Sequence, residues 1–140
     1  MSTTRTAGTS AVAPAFDRIV ELEPGRRAVA VRNIPNTLPY FDHHFPRFPI
    51  LPGVLLLESM AALAKAAVGG ERAWRLASVR GVRFKHFVGP GDQVHITAEV
   101  TGGSQQTTEV RATARVGDRV VATARSLALV SADEPWEGTA

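Results

Sequence analysis

The chain has 140 residues, 44% of them hydrophobic and 21% charged, which suits one soluble globular domain with a single core and excludes wholesale disorder. It has no cysteine, so a disulfide framework, a thiolate metal site and a cysteine nucleophile are excluded together. Sixteen basic groups against 13 acidic ones leave a net charge of +3, too little to argue for nucleic acid without interleaved aromatic residues.

Residues 1–15 are small and polar and read as a disordered arm, residues 16–130 as the folded domain and 131–140 as a flexible tail. The arm has no apolar core and is not a secretory signal. The longest near-apolar stretch, Gly53 to Gly70, is interrupted by Glu58 and Lys65 and is short for a membrane span. A cytoplasmic protein is expected. The first folded element is a hairpin: β-branched runs at 18–22 and 28–32 flank Glu23-Pro24-Gly25-Arg26, where Pro-Gly marks the turn. Residues 34–52 contain Pro35, Pro39, Pro46, Pro49 and Pro52, a density that excludes a helix or central strand and predicts a long functional loop.

Gly53 to Val68 is rich in strong helix formers and apolar nearly all round, which predicts a buried helix stopped by Gly69-Gly70. Strand patterns follow at 75–84, 93–101, 107–116 and 119–130, with a tight Gly117-Asp118 turn between the last two. The composite is an α+β domain in which one helix lies under a curled antiparallel sheet. A second subunit would cover what that sheet leaves open.

Chemistry concentrates between His43 and Glu58. Glu58 sits among Val, Leu, Met and Ala; buried there, it would need a partner or a raised pKa, as a general acid does. Alternatively it lies with Lys65 on a narrow solvent-facing stripe. Pro52 fits the first helical position and leaves Leu51 as a cap that cannot accept a hydrogen bond. The N–H groups of Gly53 and Val54 would then be open to a carbonyl oxygen or oxyanion, unless water or another loop caps them. His44 precedes Phe-Pro in a stiff segment and is a candidate base near neutrality, though a lone loop histidine is more often bland. Four histidines with no carboxylate cluster make a metal site a poor expectation. Glu58 lies roughly 9 Å along the helix from Pro52, at 1.5 Å per residue. A carbonyl held at the helix start would therefore not reach the Glu58 of the same chain, whereas a site shared by two subunits would bring them together.

The run His44-Phe45-Pro46-x-x-Pro49-x-x-Pro52-Gly53-Val54-Leu55-x-x-Glu58 resembles the signature of the (3R)-hydroxyacyl-[acyl carrier protein] dehydratases, hot-dog enzymes of fatty-acid synthesis. Phe16-Asp17-Arg18-Ile19-Val20, Glu23-Pro24-Gly25, Phe84-Lys85 and Val88-Gly89-Pro90-Gly91-Asp92-Gln93-Val94 extend the resemblance over residues 16–130. It implies a double hot-dog dimer, alone or as a trimer of dimers, with the histidine of one subunit facing the glutamate of the other. The implied reaction removes water from a (3R)-hydroxyacyl thioester to give the trans-2-enoyl thioester, without a cofactor. His44 would take the α-proton, Glu58 would protonate the departing hydroxyl, and Gly53 with Val54 would bind the thioester carbonyl. Phe45, Pro46, Phe48, Leu57, Ala62 and Phe87 would line the acyl tunnel. The acidic carrier protein would dock on Arg72, Arg75, Arg80, Arg83 and Lys85, whose bland reading is a solvated strand face.

The chain departs from the family pattern at His43, where glycine is usual, and at Ala62, where glutamine is usual. Arg47 with Phe48 and Phe87 are bulkier than the usual residues, and together these departures point to a specialised relative, for example in polyketide or polyene assembly. The rival readings are another hot-dog activity (thioesterase, hydratase or isomerase) and a non-catalytic carrier-binding half of a heterodimer. Nucleic-acid or membrane partners are not expected.

Overall fold

The computed structural model describes residues 15–35, 51–70, 73–104 and 106–132. Its elements are β1 (Arg18–Glu23), β2 (Arg27–Asn33), α1 (Gly53–Val68), β3 (Trp74–Phe84), β4 (Gln93–Gly103), β5 (Thr107–Val116) and β6 (Arg119–Ser131). The helix and β5 have the predicted bounds, and the other strands run one or two residues longer. The 1–14 arm and the tail from 133 onward lie outside the described residues.

Strand formation follows the period-2 pattern. In β5, Thr108, Val110, Ala112 and Ala114 are buried while the alternating Glu109, Arg111 and Arg115 are exposed and Thr113 is half-buried. All strand pairs are antiparallel. They form one six-stranded sheet in the order β1-β2-β4-β5-β6-β3. β3 thus leaves its sequence neighbours and closes the far edge against β6, an arrangement that strand patterns alone do not specify. Among the described strands, β1 and β3 form the edges.

The helix lies on the inner face of this sheet, and the contact surface is made of small residues. Ala28, Ala30, Ala98, Ala112, Ala114, Ala122 and Ala124 of the sheet are fully buried, as are Ala64 and Ala67 of the helix. Side chains this short let the helix backbone come close to the strands. Leu56, Met60, Leu63, Ile96, Leu127 and Leu129 fill the remaining space. Gly25 at the hairpin turn donates its N–H to the Ala67 carbonyl at 2.8 Å, which ties the helix's last turn to the β1–β2 corner.

One expectation needs correction. The helix is not buried all round within one chain: Leu56, Ser59, Met60, Leu63, Ala64 and Ala67 face the sheet, whereas Val54, Glu58 and Lys65 are exposed. These three recur at helical spacing along one stripe, because a single sheet covers only one side of the cylinder. Its one apolar member, Val54, is what a second subunit would bury.

Close packing by alanine sets two opposite mutational costs. Leu63→Ala should destabilise by about 2–5 kcal/mol through the cavity left behind. Ala64→Leu should cost about 1–3 kcal/mol by overpacking. Urea unfolding followed by circular dichroism measures both.

Candidate active site

The proline-rich segment is framed by one turn. Ile34 donates its N–H to the Asp92 carbonyl at 3.0 Å, and Gly91 donates to the Ile34 carbonyl at 2.8 Å. On the far side, Leu51 donates to the Val88 carbonyl at 2.6 Å. Ile34, Leu51 and Val88 are all buried. The turn is itself closed by Asp92, whose Oδ2 accepts the Gly89 N–H at 2.9 Å. The chain therefore departs and returns against the same corner, Val88–Asp92, beside the start of the helix. His43, His44, Phe45, Pro46, Phe48 and the intervening loop lie outside the described residues, as does Arg72.

At the helix start, the cap is Pro52 (φ −62°, ψ 140°) and not Leu51, so Gly53 is the first helical residue. The ring fixes φ while the extended ψ places Pro52 just outside the helix. No side chain caps it. Leu55 donates to the Pro52 carbonyl at 3.0 Å. No hydrogen bond among the described residues engages the N–H of Gly53 or Val54. The absence of a side chain at Gly53 is required here: a Cβ would stand 2.9 Å from the Phe84 ring. Phe84, at the end of β3, therefore seals one side of the open helix terminus.

Val54, Phe84 and Phe87 are three of the five large exposed hydrophobic residues among the described ones, with exposures of 59%, 52% and 77%. Phe84 and Phe87 line a surface cavity of about 280 Å³ with Lys85 and His86. Of the expected tunnel residues, Phe87 and Leu57 thus differ: Phe87 stands at the surface, whereas Leu57 is partly buried against the core. Ala62 is half-buried.

Glu58 lies on the exposed stripe of the helix, so within one chain the buried-acid reading does not hold and the stripe reading does. Beside it sits a group that the sequence reading missed. Arg32 of β2 points to the inner face, is 8% exposed, and donates from Nη1 to the Ser59 Oγ at 2.9 Å and to the Leu55 carbonyl at 3.4 Å. Burial lowers its pKa, while the negative charges of Asp17 and Glu58 act in the opposite direction. Its one sequence signal is a charged residue in the inward phase of the Ala28-Ala30-Arg32 alternation.

The expected docking residues separate. Arg83 lines a cleft of about 370 Å³ on the outer sheet face with Arg111 of β5 and Arg125 of β6. Gly81 at φ +66° makes room there, since a Cβ would lie 2.7 Å from that of Arg125. Arg111 pairs with Glu99 at 3.1 Å; among the described residues no ion pair engages Arg83 or Arg125. Lys85 belongs to the neighbouring cavity, and Arg75 and Arg80 are exposed elsewhere on β3. No cluster of metal-ligating side chains occurs among the described residues.

A curled antiparallel sheet around one helix is the hot-dog fold, and here the helix start has unengaged N–H groups with Glu58 about one and a half turns further on. The ApeI-like family model, described as ApeI dehydratase, matches residues 21–124. A 3-hydroxyacyl-[acyl-carrier-protein] dehydratase FabZ of Caldanaerobacter subterraneus subsp. tengcongensis is 37% identical over 123 residues, covering 84% of this chain and 86% of that protein. The enzyme of the same name from Ralstonia nicotianae is 35% identical over 126 residues, covering 84% and 77%. The chain belongs to the ApeI-like dehydratase family. Among solved structures, protein PH1136 of Pyrococcus horikoshii has the same fold with a TM-score of 0.72 at 14% identity, covering 86% and 85% of the two chains. A chain of the dehydratase heterocomplex ApeI:P of Xenorhabdus doucetiae gives 0.65 at 19% identity, covering 81% and 96%.

Adding a methyl group at Gly53 tests how tightly the terminus is sealed. Gly53→Ala should cost about 1–3 kcal/mol through its clash with the Phe84 ring. Phe84→Ala should recover most of that cost in the double variant, which a double-mutant cycle of melting temperatures would read.

Proposed function

We propose that this chain removes water from (3R)-hydroxyacyl thioesters carried on acyl carrier protein, leaving the trans-2-enoyl thioester. One observation carries the reading: a side-chain-free residue opens two unengaged N–H groups at the helix start, and Glu58 follows on a helix face left uncovered. The thioester oxygen accepts from Gly53, which favours negative charge on that oxygen as the α-proton leaves to His44. The electron pair returns to form the double bond, the carbon–oxygen bond breaks, and Glu58 supplies the proton that lets hydroxide depart as water. Names of relatives acting on carrier-borne 3-hydroxyacyl groups support the same substrate class.

The site is built from two chains. The roughly 9 Å between helix start and Glu58, at 1.5 Å per residue, calls for the glutamate of a second copy. The free edge of β3 and the exposed Val54 and Phe84 give that copy a surface to cover. A heterodimer with a related chain is the second reading, favoured by the match to the ApeI family and by the likeness to a chain from a heterocomplex. The assembly works in the cytoplasm; no described helix is long and apolar enough to cross a membrane. Carboxylates of the carrier protein meet the cleft of Arg83, Arg111 and Arg125, of which only Arg111 already has an anionic partner among the described residues.

Intact-protein mass spectrometry of a (3R)-hydroxyacyl carrier protein should show loss of one water with the native chain, and none with His44→Ala or Glu58→Gln. Release of free acid would make the protein a thioesterase. An unchanged mass across chain lengths, together with co-purification of a second related chain, would move the reading to a heterodimer subunit. For docking, joint replacement of Arg83, Arg111 and Arg125 by Gln should raise KM for the carrier-borne substrate about tenfold or more while leaving turnover of the pantetheine thioester unchanged.

A further inference from the structure

The outer sheet face gathers donors from β3, β5 and β6. Thr113, Thr123 and Arg83 are cross-strand neighbours in one row, spaced at roughly 4.8 Å from strand to strand. Arg111 and Arg125 stand two residues away on β5 and β6, so alternation brings them to the same face in the next row. Gly81 holds the third place in that row. Its φ is +66°, and a Cβ there would lie 2.7 Å from the Cβ of Arg125. The missing side chain opens the cleft of about 370 Å³ that these residues line.

Guanidinium groups only donate, and the two hydroxyls can donate as well. Among the described residues Arg111 has Glu99 as a partner at 3.1 Å. No hydrogen bond or ion pair there engages the side chains of Arg83, Arg125, Thr113 or Thr123. The cleft therefore calls for an anion rich in acceptor oxygens, and guanidinium forks match phosphate oxygens bidentately. A gap opened by one missing side chain admits a compact oxyanion on a slender stalk, whereas the carboxylates of a folded partner stay at its rim. We propose that this cleft binds the phosphate of the phosphopantetheine arm that carries the acyl chain. The proposal rests on the carrier-borne substrate proposed above and names the group of the carrier that is read.

The cleft lies where such an arm can reach both it and the helix start. Arg83 and Phe84 are consecutive, with Cα atoms about 3.8 Å apart, and their side chains leave opposite faces of β3. Arg83 turns to the cleft, and Phe84 turns to Gly53. Phe84 also lines the cavity of about 280 Å³ with Lys85, His86 and Phe87, which continues past the end of β3. An arm running round that end joins the outer cleft to the unengaged N–H groups of Gly53 and Val54. It does not cross the free edge of β3, which is left to the second copy.

The test uses two substrates that differ only by the phosphate: a (3R)-hydroxyacyl pantetheine thioester and its phosphopantetheine counterpart. Neither carries protein, so docking of carrier carboxylates does not contribute. The native chain should prefer the phosphorylated substrate by about tenfold in kcat/KM, chiefly through KM. Arg83→Gln and Arg125→Gln should each cut that preference to about threefold or less. Arg119→Gln removes an exposed arginine outside the cleft and should leave the preference intact. Equal kcat/KM for the two substrates, or an equal loss of preference in Arg119→Gln, overturns the proposal. So does a further gain with the coenzyme A thioester, because a nucleotide would then be the ligand read. Binding is followed separately by titrating phosphopantetheine into nitrogen-labelled protein, where the amide resonances of Gly81, Thr113 and Thr123 should move. If they move while neither thioester loses water, the phosphate site stands and the dehydratase reading falls. If both thioesters lose water equally well and those resonances stay still, the dehydratase reading stands and the proposal falls.

Discussion

The site depends on the corner Val88–Asp92. Five prolines between residues 34 and 52 each remove a backbone donor. Its ends are fixed from outside. Ile34 and Leu51 are buried and bonded to opposite ends of one short turn, which the Asp92 side chain closes in turn. That same turn leads into β4, the strand next to β2, so the excursion between residues 35 and 51 begins and ends on the sheet's central framework. The helix follows within two residues of the second anchor. The start of the helix is thus placed by the sheet and not by a cap of its own.

A second constraint is the thinness of the helix–sheet contact. Fully buried alanines stand at seven sheet positions and at Ala64 and Ala67 of the helix, and Leu56, Met60 and Leu63 fill the space between them. The helix backbone comes close to the strands, and a side chain as short as serine can meet an arginine reaching inward from β2. One sheet can wrap only one side, so the same closeness leaves the stripe of Val54, Glu58 and Lys65 uncovered. On the two-chain reading proposed above, that open stripe would face the second chain.

Electrostatics divide between the two faces of the sheet. On the outer face, arginines from β3, β5 and β6 meet around a cleft and remain in water, where they attract acidic surfaces at little desolvation cost. On the inner face a single arginine is dry and held by two hydrogen bonds to the helix. Residue type is the same; depth decides whether it stays hydrated or bonds the helix.

The sequence by itself determined the local elements and pointed to the family. Composition placed the helix at Gly53–Val68 to the residue, because strong helix formers run between a proline and a glycine pair. Period-2 alternation and turn glycines marked all six strands within two residues. The spacing from His44 through Pro52-Gly53 to Glu58 pointed to the family that the relatives bear out. What only the tertiary structure decided was placement. That β3 crosses to pair with β6, that Phe84 closes over Gly53, and that Arg32 bonds Ser59 all depend on contacts between residues far apart in the chain. Glu58 shows the limit most directly. Its apolar neighbours read as burial, yet burial is a property of whichever surface covers the helix, and within one chain the sheet covers the opposite side.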